Sequence, residues 1–315
     1  MKKKYSNIFD KENTYIPIKN NFYVDFIKSL LSVGITKLNG GLGTSFHLFV
    51  IKKYITAIFK KKTTVQKNKL TLKMPLDSFR YFEMHYGYKF LNNINIKNYL
   101  DISSPRFFPF YLAEKKNIEK TVMVNPDVKD IELTKETYNL LSIENKIVFK
   151  NELMQDTLFS ESVFDLTSSI SVLEHIPIDY IPSILESIKK VTKNNGYFLV
   201  SIPVAKESFE EYIDFNEYGL DNINENGFYF GQRFHDEELM RELFYSVFGE
   251  PIQAKFISEK KRDFFFENRF QKINDPNYKY WNEASMFKEN FEEVKSIDEM
   301  KGIGVAIYLF KIVKN

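Results

Sequence analysis

The sequence predicts an α/β protein built on a doubly wound, mostly parallel, seven-stranded sheet, preceded by a helical, basic N-terminal extension. Residues 164–172, FDLTSSISV, carry one charge (Asp165) and otherwise only apolar or small side chains. A central strand looks like this when helices cover both faces of its sheet. From residue 96 onward, strand-like and helical runs alternate, as in a parallel sheet with crossover helices. Leu173-Glu174-His175-Ile176-Pro177 then puts a carboxylate and an imidazole just beyond the strand's C-terminal end. Ligands bind at that edge in open sheets of this kind.

Taken in order, residues 1–21 are polar and proline-punctuated, a loosely ordered lead-in. Apolar residues at 22, 26, 27, 30, 31 and 33 follow a helical period. Gly40-Gly41-Leu42-Gly43 breaks the chain. A phosphate loop belongs between a strand and a helix, and helix-like residues precede this one, so a plain turn is the reading. Residues 46–59 are strongly apolar with Lys52-Lys53 inside and Lys60-Lys61-Lys62 after them. Such a helix either lies at an anionic lipid surface or packs on the main domain with a solvated lysine edge. It is too short to span a bilayer, which takes roughly 20 apolar residues. Ser78 is placed to cap the next helix.

Strands are expected at 97–102, 121–124, 146–149, 164–172, 197–202, 252–257 and 303–313. Helices are expected at 107–114, 134–141, 179–191 and 236–248, with Pro105 suited to a first helical turn. Residues 204–234 lack a clear period and read as a lid or substrate loop, and 260–301 as a charged, aromatic insertion holding the single Trp281. The domain division is therefore 1–75 and 76–315.

Composition narrows the classes. At 315 residues, 43% hydrophobic and 27% charged, the chain is an ordinary globular protein able to bury one sizeable core. The absence of cysteine excludes disulfides, thiolate metal sites and a cysteine nucleophile. Four histidines far apart in sequence make a zinc site unexpected, and no metal is assigned; a carboxylate magnesium site stays open. No apolar h-region follows Met1-Lys2-Lys3-Lys4, so the expected compartment is the cytoplasm, with peripheral contact at the inner membrane face as a further possibility. Residues 1–73 hold 15 lysines against three acids, a net +12, and the remainder is −10, which together make the chain's +2. That asymmetry points the N-terminal part at an anionic partner: a membrane surface, nucleic acid or a phosphorylated substrate.

Phe164-Asp165 before the strand and Leu173-Glu174-His175-Ile176 after it resemble the fourth-strand motif of class I S-adenosylmethionine-dependent methyltransferases. The resemblance covers 95–205 well and 235–313 in outline. It implies a Rossmann-like sheet, S-adenosylmethionine as cofactor and a small-molecule or sugar acceptor. By the same resemblance Asp101, Ser103 and Ser104 form the first cofactor loop, where serine and larger residues replace the family's alternate glycines. Asn125 and Asp127 stand where an acid usually holds the ribose, Glu152 stands at the adenine end, and Ser171 follows the fourth strand. Arg80, on a helix before the first strand, reaches the methionine carboxylate or else forms a surface pair with Glu83.

An oxygen nucleophile needs a general base. His175 is the first candidate, with Glu174 orienting it, and the other reading is a structural imidazole capping the turn. His235 and Arg233, in Gly231-Gln232-Arg233-Phe234-His235-Asp236, face the acceptor by resemblance to sugar and small-molecule methyltransferases; Asp236 reads equally as an N-cap. The combined features resemble bacterial methyltransferases of surface-polysaccharide or small-metabolite pathways, which implies O-methylation of a sugar or sugar-linked acceptor. The alternative is a methyltransferase-like interaction module without catalysis, held to a membrane or partner by its basic segment. Nucleic-acid methylation is disfavoured, because the basic residues lie outside the core and no Asn-Pro-Pro-Tyr-type motif is present.

Overall fold

A computed structural model of the chain describes residues 1–9, 21–144, 146–216, 223–224 and 226–314. The elements are β1 (Lys2–Ser6), α1 (Phe22–Leu38), α2 (Thr44–Phe59), α3 (Lys69–Lys73), α4 (Arg80–Phe90), β2 (Asn98–Ile102), α5 (Phe107–Lys116), β3 (Lys120–Val124), α6 (Val128–Leu141), β4 (Ile147–Lys150) and β5 (Phe164–Ile170). There follow α7 (Ile181–Val191), β6 (Thr192–Ala205), β7 (Phe209–Ile213), β8 (Tyr229–Phe234), α8 (Glu237–Met240), α9 (Ser246–Phe248), β9 (Gln253–Glu259), α10 (Phe264–Asn274), α11 (Glu283–Asn290), β10 (Phe291–Val294) and β11 (Ile303–Lys311). Caps explain several starts. Asp127 accepts from the N–H groups of Lys129 and Asp130 to open α6, and Asp236 accepts from Leu239 to open α8.

The main sheet runs β10-β9-β11-β6-β5-β2-β3-β4. Strands β6, β5, β2, β3 and β4 are mutually parallel, and β11 enters antiparallel between β6 and β9. The sheet is doubly wound, as expected, with one strand more than expected: Phe291–Val294, inside the presumed insertion, adds to its edge. Both faces are dry. Val305, Ile307 and Leu309 of β11 enter one core while Ala306, Tyr308 and Phe310 enter the other, the period-2 signature of a strand covered on both sides.

Three expectations for the flanking segments change. Lys2–Ser6 is not a loose lead-in: it pairs in parallel with β7, which pairs antiparallel with β8 to make a separate three-stranded sheet. The segment 204–234 is accordingly two strands of that sheet, while 10–20, 217–222 and 225 lie outside the described residues. The apolar helix α2 is core, burying Phe46, Phe49, Val50, Ile51, Tyr54 and Ala57, so the packed reading holds for it. Helix α1 divides its apolar residues. It buries Phe22 and Val33 in the core along with Ser29, Ser32 and Thr36, Ser29 donating to Lys73 O (2.8 Å), and exposes Val24, Ile27, Leu31, Ile35 and Leu38.

Gly40-Gly41-Leu42-Gly43 is the turn between α1 and α2, with no strand before it. Gly43 has φ +67°, and a Cβ there would lie 2.4 Å from the backbone oxygen of Tyr81. Both conformation and space demand glycine. Gly43→Ala is expected to cost about 2 kcal/mol or more in urea unfolding; an unchanged midpoint would show that α2 does not seat against α4 through this contact.

Candidate active site

The C-terminal ends of β2 and β5 converge on Asp101. Its carboxylate, wholly buried, accepts from Tyr99 Oη (2.9 Å), Ser168 Oγ (2.8 Å) and the Ser104 N–H (3.1 Å). Burial pushes its pKa up to about 6, against the pull of those hydrogen bonds. Ser103 takes φ +52°, the left-handed conformation for which glycine is suited. Ser104 Oγ accepts from the Ile170 N–H (2.9 Å), stitching the loop to β5.

Beside this loop Ser103, Asn125, Asp130, Thr134 and the apolar Met123 and Phe149 line a cleft of about 10 Å³. Asn125 Nδ2 donates to Asp130 Oδ2 (2.8 Å), and Arg106 forms an ion pair with the other oxygen of Asp130. Asp127 is spent as the α6 cap, and Glu152 accepts from Lys150 Nζ (2.7 Å) away from the cleft. Asp130, which sequence reasoning missed, lines the cleft instead.

A larger cavity, about 250 Å³, opens at the same sheet edge under the three-stranded sheet and α10. Arg80, Ser171, Glu174 and His175 line it from the methyltransferase-like side, and Glu211, Gln232, Arg269 and Lys272 from the other. Arg80 does form the pair with Glu83 (2.5 Å). That carboxylate has no solvent exposure and also accepts from Ser171 Oγ (2.5 Å) and Ser201 Oγ (2.7 Å). Arg269 forks onto Glu211, and Lys272 pairs with Asp77 and with Glu283 (3.0 Å). Ser78, expected as a cap, instead donates its N–H to Glu283 Oε2 (3.2 Å).

His175 Nδ1 lies 2.6 Å from the carbonyl oxygen of Gly231. A carbonyl only accepts, so Nδ1 carries the proton and Nε2 is the basic nitrogen. Burial lowers the ring's pKa to about 4, while burial, aided by Glu83, pushes Glu174 up to about 8. The 3.7 Å approach of Nε2 to Glu174 Oε1 is therefore, near neutral pH, a contact of two uncharged groups and not a salt bridge. Glu174 Oε2 is buried and has no hydrogen-bond partner.

The structure puts two expected acceptor residues elsewhere. Arg233, fully buried, donates to Ile176 O (3.2 Å) and Glu210 Oε1 (3.1 Å), locking β8 to the loop after β5 without lining the cavity. His235 points into the core against Phe244, and burial lowers its pKa to about 3. Asp236 takes the capping role. No group of three or more His, Asp or Glu suited to a metal occurs among the described residues.

Residues 101–200 match the family model described as a methyltransferase domain. The matched residues run from the end of β2 through β5 into β6, and in them the chain is similar to the class I, S-adenosylmethionine-dependent methyltransferases. No curated protein matches. Solved structures similar to the chain include a putative sarcosine dimethylglycine methyltransferase from Galdieria sulphuraria, 12% identical, covering 73% of this chain and 84% of that one with a TM-score of 0.45. Geranyl diphosphate C-methyltransferase from Streptomyces coelicolor A3(2) is 9% identical, covering 80% and 82% with a TM-score of 0.47.

The donor set fits the family's cofactor: apolar walls at Met123 and Phe149 for a base, Asn125 and Asp130 for ribose hydroxyls, and a left-handed Ser103 for backbone approach. The space fits only after a change. About 10 Å³ holds no nucleoside, so the cleft must widen before one enters.

The shifts set a stability profile. The folded chain holds protons on Asp101 to about pH 6 and on Glu174 to about pH 8, which the unfolded chain releases near 3.8 and 4.5. Their contribution is present at low pH and is lost as pH rises through those values. His47 and His175 (about 4) and His235 (about 3) act oppositely, their contribution full above 6.5 and lost as pH falls toward 4. Stability should peak at about pH 6.5 and drop by about 1–2 kcal/mol toward pH 8. Glu174→Gln should flatten that alkaline limb in denaturant titrations; equal slopes in both proteins would reject a buried protonated Glu174.

Proposed function

We propose that this protein is an S-adenosylmethionine-dependent O-methyltransferase acting on a small polar acceptor, a sugar or sugar-linked molecule. The observation that carries the reading is His175, whose tautomer is set by the Gly231 carbonyl so that its basic Nε2 belongs to a ligand-sized cavity at the cofactor edge of the sheet. A cavity of about 250 Å³ walled by Arg80, Gln232, Arg269, Lys272, Glu174 and Glu211 suits a hydroxyl-rich molecule better than an apolar one. S-adenosylmethionine, when bound, supplies an electrophilic methyl group. Asn125, Asp130 and Ser103 would hold it. His175 Nε2 takes the proton of the acceptor hydroxyl, and its low basicity keeps it unprotonated across the working pH range. An uncharged Glu174 leaves His175 neutral, where an ionised carboxylate at this distance would favour the protonated ring.

The closed cleft supports the second reading, a methyltransferase-like interaction module without turnover. Calorimetric titration with S-adenosylhomocysteine decides between them. Micromolar binding, about −8 kcal/mol, weakened at least tenfold by Asn125→Leu, supports the enzyme. For the enzyme, His175→Ala should lower kcat by about 10²–10⁴ and leave that binding intact. No binding at millimolar ligand removes the enzyme reading.

The exposed stripe of α1, Val24-Ile27-Leu31-Ile35-Leu38, together with the +12 charge of residues 1–73, supports peripheral docking on an anionic membrane. No helix among the described residues is long and apolar enough to cross one. Leu31→Glu with Ile35→Glu should abolish flotation with phosphatidylglycerol vesicles while leaving urea stability within about 0.5 kcal/mol. Wild-type protein that ignores such vesicles would defeat the docking proposal.

A further inference from the structure

A second cavity, about 440 Å³, lies behind the first. An aromatic partition divides them: Phe234 and Phe265 face the acceptor cavity, Phe209 and Phe266 the other, and Phe209 stacks on Phe234 at 4.5 Å. Its floor is apolar, from Ala205, Phe209, Phe266, Met300 and Ile303. Its walls hold six cations, Lys2, Lys3, Lys4, Lys206, Arg262 and Lys301, against three acids.

Those acids are already engaged. Glu207 pairs with Lys2 and Asp263 with Lys4 (3.0 Å). Glu259, buried, accepts from the N–H groups of Asp263, Phe265 and Ile303. Lys301 turns to Glu292 (2.7 Å). Among the described residues no carboxylate forms an ion pair with Lys3, Lys206 or Arg262. The Lys3 ammonium lies over the Tyr212 ring, 5.3 Å from its centroid, which leaves Lys206 and Arg262 at the rim without an ion pair. Two such cations beside an apolar pocket of ligand size form a receptor for an anion with an apolar body, and an ammonium with a guanidinium suits a phosphate.

We propose that this cavity is a second binding site, for a phosphate ester carrying a short apolar group. The site exists only because β1 pairs with β7, bringing Lys2, Lys3 and Lys4 to a wall otherwise made of residues 205–209, 259–266 and 300–303. It does not depend on methyl transfer.

Calorimetric titration of the full chain with hexyl phosphate tests the proposal, with hexanol and inorganic phosphate as the two half-ligands. One hexyl phosphate should bind per chain, at least tenfold tighter than either half. Lys206→Glu with Arg262→Glu, both exposed rim residues, should weaken it at least tenfold. His175→Ala, in the acceptor cavity, and the α1 double variant should leave it unchanged. Absence of saturable binding to about 10 mM, an affinity indifferent to the rim variant, or loss in the His175 variant instead would each overturn the assignment. Thermal melts of each variant separate lost binding from lost folding.

Discussion

A carboxylate with no access to water organises the edge of this sheet. Glu83 sits on α4, yet its oxygens are held by Arg80 and by hydroxyls at the ends of β5 and β6. A carboxyl group so buried is tolerable only when donors replace its hydration, and here there are three, one of them cationic. The arrangement pins α4 across the ends of two central strands. It also holds Ser171 at φ +49°, the bend from which the chain runs on to Glu174 and His175. Every residue of the acceptor cavity that comes from the methyltransferase-like side is positioned directly or indirectly by this contact.

Burial then decides the charge states. Glu174 and His175 are neighbours whose ordinary pKa values would make them an ion pair near pH 6. The cost of desolvating either charge pushes the two values past each other, to about 8 and about 4, and leaves both neutral. A neutral imidazole with a fixed tautomer can accept a proton, and a neutral carboxyl can donate a hydrogen bond.

The three-stranded sheet is the second constraint. It supplies Glu211 and Gln232 to one cavity and Phe209 to the other, and Arg233 ties it to the loop after β5. Glu211 is fully buried and satisfied by Arg269 of α10 and by Gln232 (2.7 Å), so sheet and helix form one wall. The partition of phenylalanines grows out of that packing.

The alternation of strands and helices, the wound sheet and the edge bearing Asp101, Glu174 and His175 were legible in the sequence, because hydrophobic period and the position of polar residues after a strand are local properties. The eighth strand was not, since Phe291–Val294 is too short and charged to announce itself. Nor was β1, whose lysines become a strand only because β7 offers an edge some 200 residues later. Helix α1 marks the limit sharply: its period showed a stripe, but a period cannot say which face the rest of the chain will cover. Asp130, Arg269 and Lys272 were missed for the same reason, and Glu83 was legible only as a surface partner of Arg80. Each joins the site through partners or a wall that the fold brings together, and such meetings are decided by packing, not by neighbours in sequence.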